Sequence, residues 1–151
     1  MRVLGIEIIS ADPCWVVLDG SNIAGALEII EPSRQRLPTS EEDETGNLLQ
    51  LRQLVMNTLR NNRVEKIGLI RAGKTCTPLR CKVEFIIQYG CRELGLPCLL
   101  LAPQTIDAAR KRKVQQVTGS SLIQVYNGGN EIDPRYLEKA AYCAWSALNA
   151  N

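Results

Sequence analysis

The chain has 151 residues, 45% of them hydrophobic, enough for one domain with a substantial core. Its 18 Lys and Arg against 16 Asp and Glu leave a formal charge of +2, which excludes a basic tail or an acidic disordered chain. Histidine is absent, removing Ser-His-Asp and Cys-His catalysis, imidazole bases and His-containing zinc sites.

Residues 2–9 alternate as a strand, with Val3, Gly5 and Glu7 on one face and Leu4, Ile6 and Ile8 on the other. A turn at Ala11, Asp12 and Pro13 leads to a second strand over 14–18, closed by Asp19 and Gly20, and a third short strand is predicted over 25–30. Residues 31–45 hold two prolines and the acidic run Glu41, Glu42, Asp43, Glu44. They read as an exposed loop whose acidic end complements the N-terminus of the next helix.

From about Gly46, that helix is marked by Leu48, Leu51, Leu54, Val55, Thr58 and Leu59, and residues 66–70 return to strand. Thr77 and Pro78 supply an N-cap and a first-turn proline; Leu79, Val83, Ile86, Ile87, Cys91 and Leu94 form a buried stripe that Gly95 ends. A strand over 98–101 precedes a helix from about Thr105 through Arg110, Lys111, Arg112 and Lys113. Residues 119–130 read as a loop with an extended piece at 122–125. Asp133 and Pro134 cap a last helix carrying Leu137, Ala140, Ala141, Ala144, Trp145 and Leu148 on one face. The order βββ-α-β-α-β-α-α implies a single α/β domain over 1–151: a mixed five-stranded sheet, three antiparallel strands then alternating units, with flanking helices.

No run of 18 apolar residues predicts a membrane span, and the N-terminus enters a strand without the layout of a signal peptide. A cytoplasmic protein without membrane partners is expected. The cysteines, Cys14, Cys76, Cys81, Cys91, Cys98 and Cys143, contain no C-x-x-C pair, so structural zinc is not expected. They read as reduced thiols packed as small hydrophobes.

The net charge conceals an asymmetry: −6 over residues 1–50, +3 over 51–70, +6 over 71–113 and −1 over the remainder. A basic middle can bind a polyanion, or it can be the solvated faces of helices. Gly68 to Thr75 fits the phosphate-loop expression G-x-x-x-x-G-K-[ST], but Gly68 lies inside an apolar strand and Pro78 would interrupt a helix begun at Lys74. Glu7 is a charge at the centre of a first strand, costly to bury unless paired or metal-bound. Carboxylates converging on Mg²⁺ (or Mn²⁺) would support phosphodiester chemistry without histidine. Alternatively, Glu7 pairs with an Arg such as Arg71 on the neighbouring strand.

Val3 to Glu7, the strands that follow and the βββαβαβα order resemble the ribonuclease-H-like fold in its RuvC-type Holliday-junction resolvase branch, which opens with a strand reading Gly-Ile-Asp. The stretches Ala102 to Ile106 and Val117 to Gly119 are similar to that branch's segment of Pro, Ile, basic residues and Val-Thr-Gly. Lys82, Val83, Glu84, Ile87 and Gln88 also look like a group of small RuvC-like proteins. The resemblance implies a nucleic-acid-associated protein with Glu7 as first metal ligand and catalytic carboxylate. On the last helix Glu138 is the matching metal-binding and catalytic carboxylate, and a second would fall where the chain reads Ala141 and Tyr142. The family's carboxylate at the end of the fourth strand falls on Ile70, Arg71 and Ala72. An Arg there opposes a metal ion.

Arg110 to Lys113 form the main candidate for phosphate contacts, joined by Arg71, Lys74, Arg80 and Lys82. Aromatic residues do not interleave with the basic run, which gives a single-strand stacking platform little support. Tyr142 and Trp145 read as core or interface. The residues leave open a degenerate metal-dependent nuclease, a non-cleaving DNA or RNA binder, a non-enzymatic scaffold contacting a protein or a second copy of itself and, less favoured, a nucleotide binder at the Gly68 to Thr75 phosphate loop.

Overall fold

The computed structural model describes residues 1–20, 28–35, 43–116 and 134–150. The expected loop at 119–130, its extended piece at 122–125 and the segment 117–119 lie outside these residues. The elements are β1 (Arg2–Ile9), β2 (Asp12–Asp19), β3 (Glu28–Arg34), α1 (Glu44–Asn61), β4 (Lys66–Ile70), α2 (Pro78–Glu93), β5 (Cys98–Leu101), α3 (Pro103–Gln116) and α4 (Pro134–Asn149). The strands run in the order β3-β2-β1-β4-β5. β1, β2 and β3 pair antiparallel, whereas β4 lies parallel to β1 and to β5. The result is a mixed α/β architecture, and no described helix is long and apolar enough to cross a membrane.

Period-2 alternation in β1 divides the core. Leu4, Ile6 and Ile8 pack with Leu51, Val55 and Leu59 of α1 and Val83, Ile87 and Cys91 of α2. Val3 faces the other way, against Ala144 and Ala147 of α4. That second face also joins Val16 and Ile70 to Ile106 of α3 and to Leu137, Ala140 and Tyr142 of α4. Each buried Leu or Ile contributes about 1.5–3 kcal/mol of hydrophobic stabilisation.

α4 approaches the sheet closely because glycines face it. Gly5 and Gly68 are register partners across β1 and β4. A Cβ at Gly5 would lie 2.0 Å from the Ala140 carbonyl oxygen, and one at Gly68 would lie 2.9 Å from that of Cys143. Small residues on α4 and absent side chains on the sheet therefore specify one seam. Trp145 is only partly buried, and Ala147 joins the packed face.

Helix ends follow their local chemistry. Asp43 caps α1, its Oδ1 accepting from Gly46 N at 3.0 Å. Thr77 caps α2, its hydroxyl accepting from Arg80 N at 3.3 Å, with Pro78 opening the helix. Gly95, at φ +68°, ends α2: its N–H donates to Arg92 O at 3.0 Å and Leu96 N–H donates to Cys91 O at 3.0 Å. This is the paired-bond glycine cap, and Leu96 packs against the core cluster to which Cys91 belongs.

Several expectations need correction. β2 begins at Asp12, so the hairpin turn is Ser10 and Ala11, with Ser10 at φ 58°. The third strand, described over Glu28–Arg34, runs past the expected end at residue 30 and takes in part of the expected loop, while residues 25–27 lie outside the described residues. Pro32 sits opposite Val16 there. It is tolerated because β3 is an edge, where a missing N–H breaks no second ladder. On α1, Leu54 is exposed while Met56 is buried, facing Gly90 of α2. Finally, the six cysteines are not all free: Cys76 and Cys81 form a disulfide. They occupy the positions flanking the Thr77 cap where an apolar staple would otherwise pack.

Candidate nucleic-acid interface

β1, β4 and β5 are parallel, so their carboxyl ends share one edge, and α2 and α3 start from it. Ligands of open α/β sheets bind at such edges. α4 returns towards the same edge with its N-terminal half, since Lys139 reaches Glu7 near the end of β1, whereas Lys66 at the start of β4 donates to Ala150 O near the helix's other end.

Glu7 is the centre of this edge. Its side chain is 15% exposed and its Oε1 lies 3.8 Å from Lys139 Nζ. Burial pushes the carboxyl above its ordinary value; the Lys139 and Arg80 charges oppose the rise, and Asp107 of α3 adds to it. Arg80 is itself enclosed. Its Nε donates to Ile8 O at 3.3 Å and its Nη1 lies 3.4 Å from Glu84 Oε2. The same Glu84 oxygen accepts from Ala72 N at 2.9 Å, tying the segment after β4 to α2.

Glu138 does not join Glu7. Its Oε1 lies 2.9 Å from Arg110 Nε on α3. Consecutive helix residues point about 100° apart, so as α4 presents Lys139 to β1 it turns Glu138 towards α3. Among the described residues, no three His, Cys, Asp or Glu side chains are grouped to hold a metal ion. Arg71 stands exposed just beyond β4, and its N–H donates to Leu101 O at 3.0 Å. Among the described residues, the Mg²⁺ or Mn²⁺ centre expected for catalysis is therefore not assembled at this edge. One carboxylate faces Lys139, the other faces Arg110, and a cation stands where the resemblance calls for a carboxylate.

The basic residues are divided rather than gathered. Arg71 and Lys74 are exposed at the carboxyl edge, whereas Arg80 is held by its own contacts. Lys82 lies on the opposite side of the sheet from α3 and α4, paired with Glu44 of α1. Arg110 and Lys111 are exposed on α3, and the side chains of Arg112 and Lys113 lie outside the described residues. The phosphate-loop reading fails as well. Gly68 is inside β4 against α4, and α2 begins at Pro78, beyond Lys74 and Thr75, so no helix N-terminus stands behind Lys74. The suggested pairing of Glu7 with Arg71 gives way to Lys139.

Sequence reasoning missed Lys139, Asp107 and Glu84. Lys139 has a legible signal, since it precedes Ala140 on the apolar face and so flanks the sheet contact. Asp107 depends on how α3 sits against β1, which no local pattern encodes.

This fold is the ribonuclease-H-like fold of the Holliday-junction resolvases. Thermus thermophilus RuvC, solved in complex with a Holliday junction substrate, superposes with a TM-score of 0.74 at 14% identity, over 97% of this chain and 91% of that one. The yeast mitochondrial Holliday junction resolvase gives 0.68 at 16% identity, over 96% and 78%. The fowlpox virus Holliday junction resolvase gives 0.59 at 12%, over 97% and 96%. No protein-family model and no curated protein sequence matches the chain.

Burial of Glu7 has a consequence for stability. A carboxyl whose folded value is raised is fully tolerated below its ordinary value of 4.5 and costs stability as pH rises through the raised value. Glu7→Gln removes that cost. Denaturation midpoints of the variant should match the wild type under acid and exceed it at neutral pH. Equal pH dependence in the two proteins would show that Glu7 is not held in a desolvated site.

Proposed function

We propose that this protein binds branched DNA at the carboxyl edge of its sheet and does not cut it. The observation that carries this reading is the Lys139 ammonium beside Glu7, with Arg71 exposed at the end of β4. Together they put cations where a resolvase of this fold would gather carboxylates round a metal. Cations at a strand edge favour phosphate, and the N-termini of α2 and α3 add partial positive charge at the same edge. The likeness of fold to a RuvC solved with a Holliday junction supports a junction as the DNA form.

Fluorescence anisotropy with a four-way junction and a matched duplex tests the reading. Affinity should favour the junction and fall linearly on a log scale with added salt, by about 0.9 per phosphate contacted. No binding at low salt would overturn it, and would return weight to the protein-contact scaffold.

A further inference from the structure

A second chemical locus lies away from this edge, where the end of α2 meets the start of β5. Cys91 is on the buried face of α2 with no solvent exposure, and Cys98, partly exposed, packs against the same cluster. The glycine cap of α2 sets the chain between them: Gly95 N–H donates to Arg92 O and Leu96 N–H to Cys91 O, both at 3.0 Å. β5 then fixes Cys98 opposite Ile67 of β4. Cys91 and Cys98 belong to one packed cluster, and the neighbouring Cys91 thiol draws Cys98 below the ordinary thiol value while burial opposes the shift; Cys91 itself is pushed up. An open groove of about 430 Å³ reaches Cys98 between Tyr89, Arg92 and Leu96. Cys14 and Cys143 have no comparable access; both are buried, and burial raises Cys143 to about 12.

We propose that Cys98 and Cys91 form a hydroperoxide-oxidisable thiol pair, with Cys98 the reacting thiol and Cys91 the resolving one. The Cys98 thiolate attacks the peroxide: an S–O bond forms, the O–O bond breaks, and hydroxide or alkoxide leaves. Cys98 is thereby oxidised to a sulfenic acid as the peroxide is reduced. Cys91 then attacks the Cys98 sulfur. The S–S bond forms, the S–O bond breaks, and the Cys91 proton leaves with the hydroxyl as water. The new bond joins the C-terminal end of α2 to the first residue of β5. It requires no nucleic acid and stands independently of the DNA-binding reading.

The full-length folded protein is treated with equimolar hydrogen peroxide, blocked with N-ethylmaleimide and digested with trypsin. Cleavage after Arg92 separates Cys91 from Cys98, and cleavage after Arg80 separates Cys76 from Cys81, so linked peptides report each pair by mass. The expected product is the Cys91–Cys98 linked peptide, forming before any loss of free Cys14 or Cys143. With dimedone present, Cys91→Ala should accumulate the dimedone adduct at Cys98, whereas Cys98→Ala should leave Cys91 free. Cys98 remaining fully alkylatable in the treated wild type would overturn the proposal, whether or not the variants fold. So would oxidation of Cys91 in the Cys98→Ala protein at the same peroxide level.

Discussion

Gly5→Ala is expected to destabilise the protein by at least about 3 kcal/mol, at the upper end of the ordinary cost of overpacking a core. A Cβ there would stand 2.0 Å from Ala140 O, 2.4 Å from Ala144 N and 2.7 Å from Ala144 Cβ. Two of those atoms are helix backbone, so no rotamer change relieves the contact. α4 would have to lift, and Lys139, next to Ala140, would leave Glu7. For a chain of this size each kcal/mol moves the melting midpoint by about 2–4 °C, so a fall of roughly 6–12 °C or more is predicted by thermal denaturation. Gly73→Ala is the contrast. Nothing lies within 4 Å of an added Cβ there, and the melt should stay near wild type. A Gly5→Ala protein melting with wild type would mean that α4 does not rest on β1 as described.

The second large effect concerns DNA. Replacing Arg71 and Lys74 together by Ala should weaken junction binding and reduce the slope of log affinity against log salt by about 2, one unit for each phosphate no longer neutralised. Both side chains are exposed at the carboxyl edge. Lys82→Ala should leave the slope unchanged, because Lys82 pairs with Glu44 on the α1 side of the sheet. Equal effects at Lys82 and at Arg71 with Lys74 would mean that DNA does not choose the carboxyl edge.

Local rules made most of the elements legible before the structure. Alternation in residues 2–9 divided the two faces of β1 as observed, and Thr77, Pro78 and Gly95 bounded α2 because caps act within a turn. The third strand was expected, but its run to Arg34 was not, because Pro32 argues against a strand unless the strand is known to be an edge, and that is a fact of sheet order. The site was less legible than the fold. Glu7 was visible as a charge within an apolar strand, but its partner was set by the rotation of α4, which depends on the glycine seam under Ala140 and Ala144. Glu138 and Lys139 are adjacent in sequence, and a turn of about 100° between them decides whether an acid or a cation meets β1. Arg110 likewise read as one of a basic run, yet it is the partner of Glu138. Charge counting along the chain could not separate Lys82 from Arg110, since the sheet lies between their helices.

The most direct measurement of the central claim is a four-way junction incubated with the protein and Mn²⁺ at low salt, followed together on native and denaturing gels. A retarded complex on the native gel and full-length strands on the denaturing one are predicted, with the complex dissociating as salt is raised. Strand cleavage by the wild-type protein that disappears in Glu7→Gln would contradict this, because Glu7 would then be a metal ligand rather than the buried partner of Lys139.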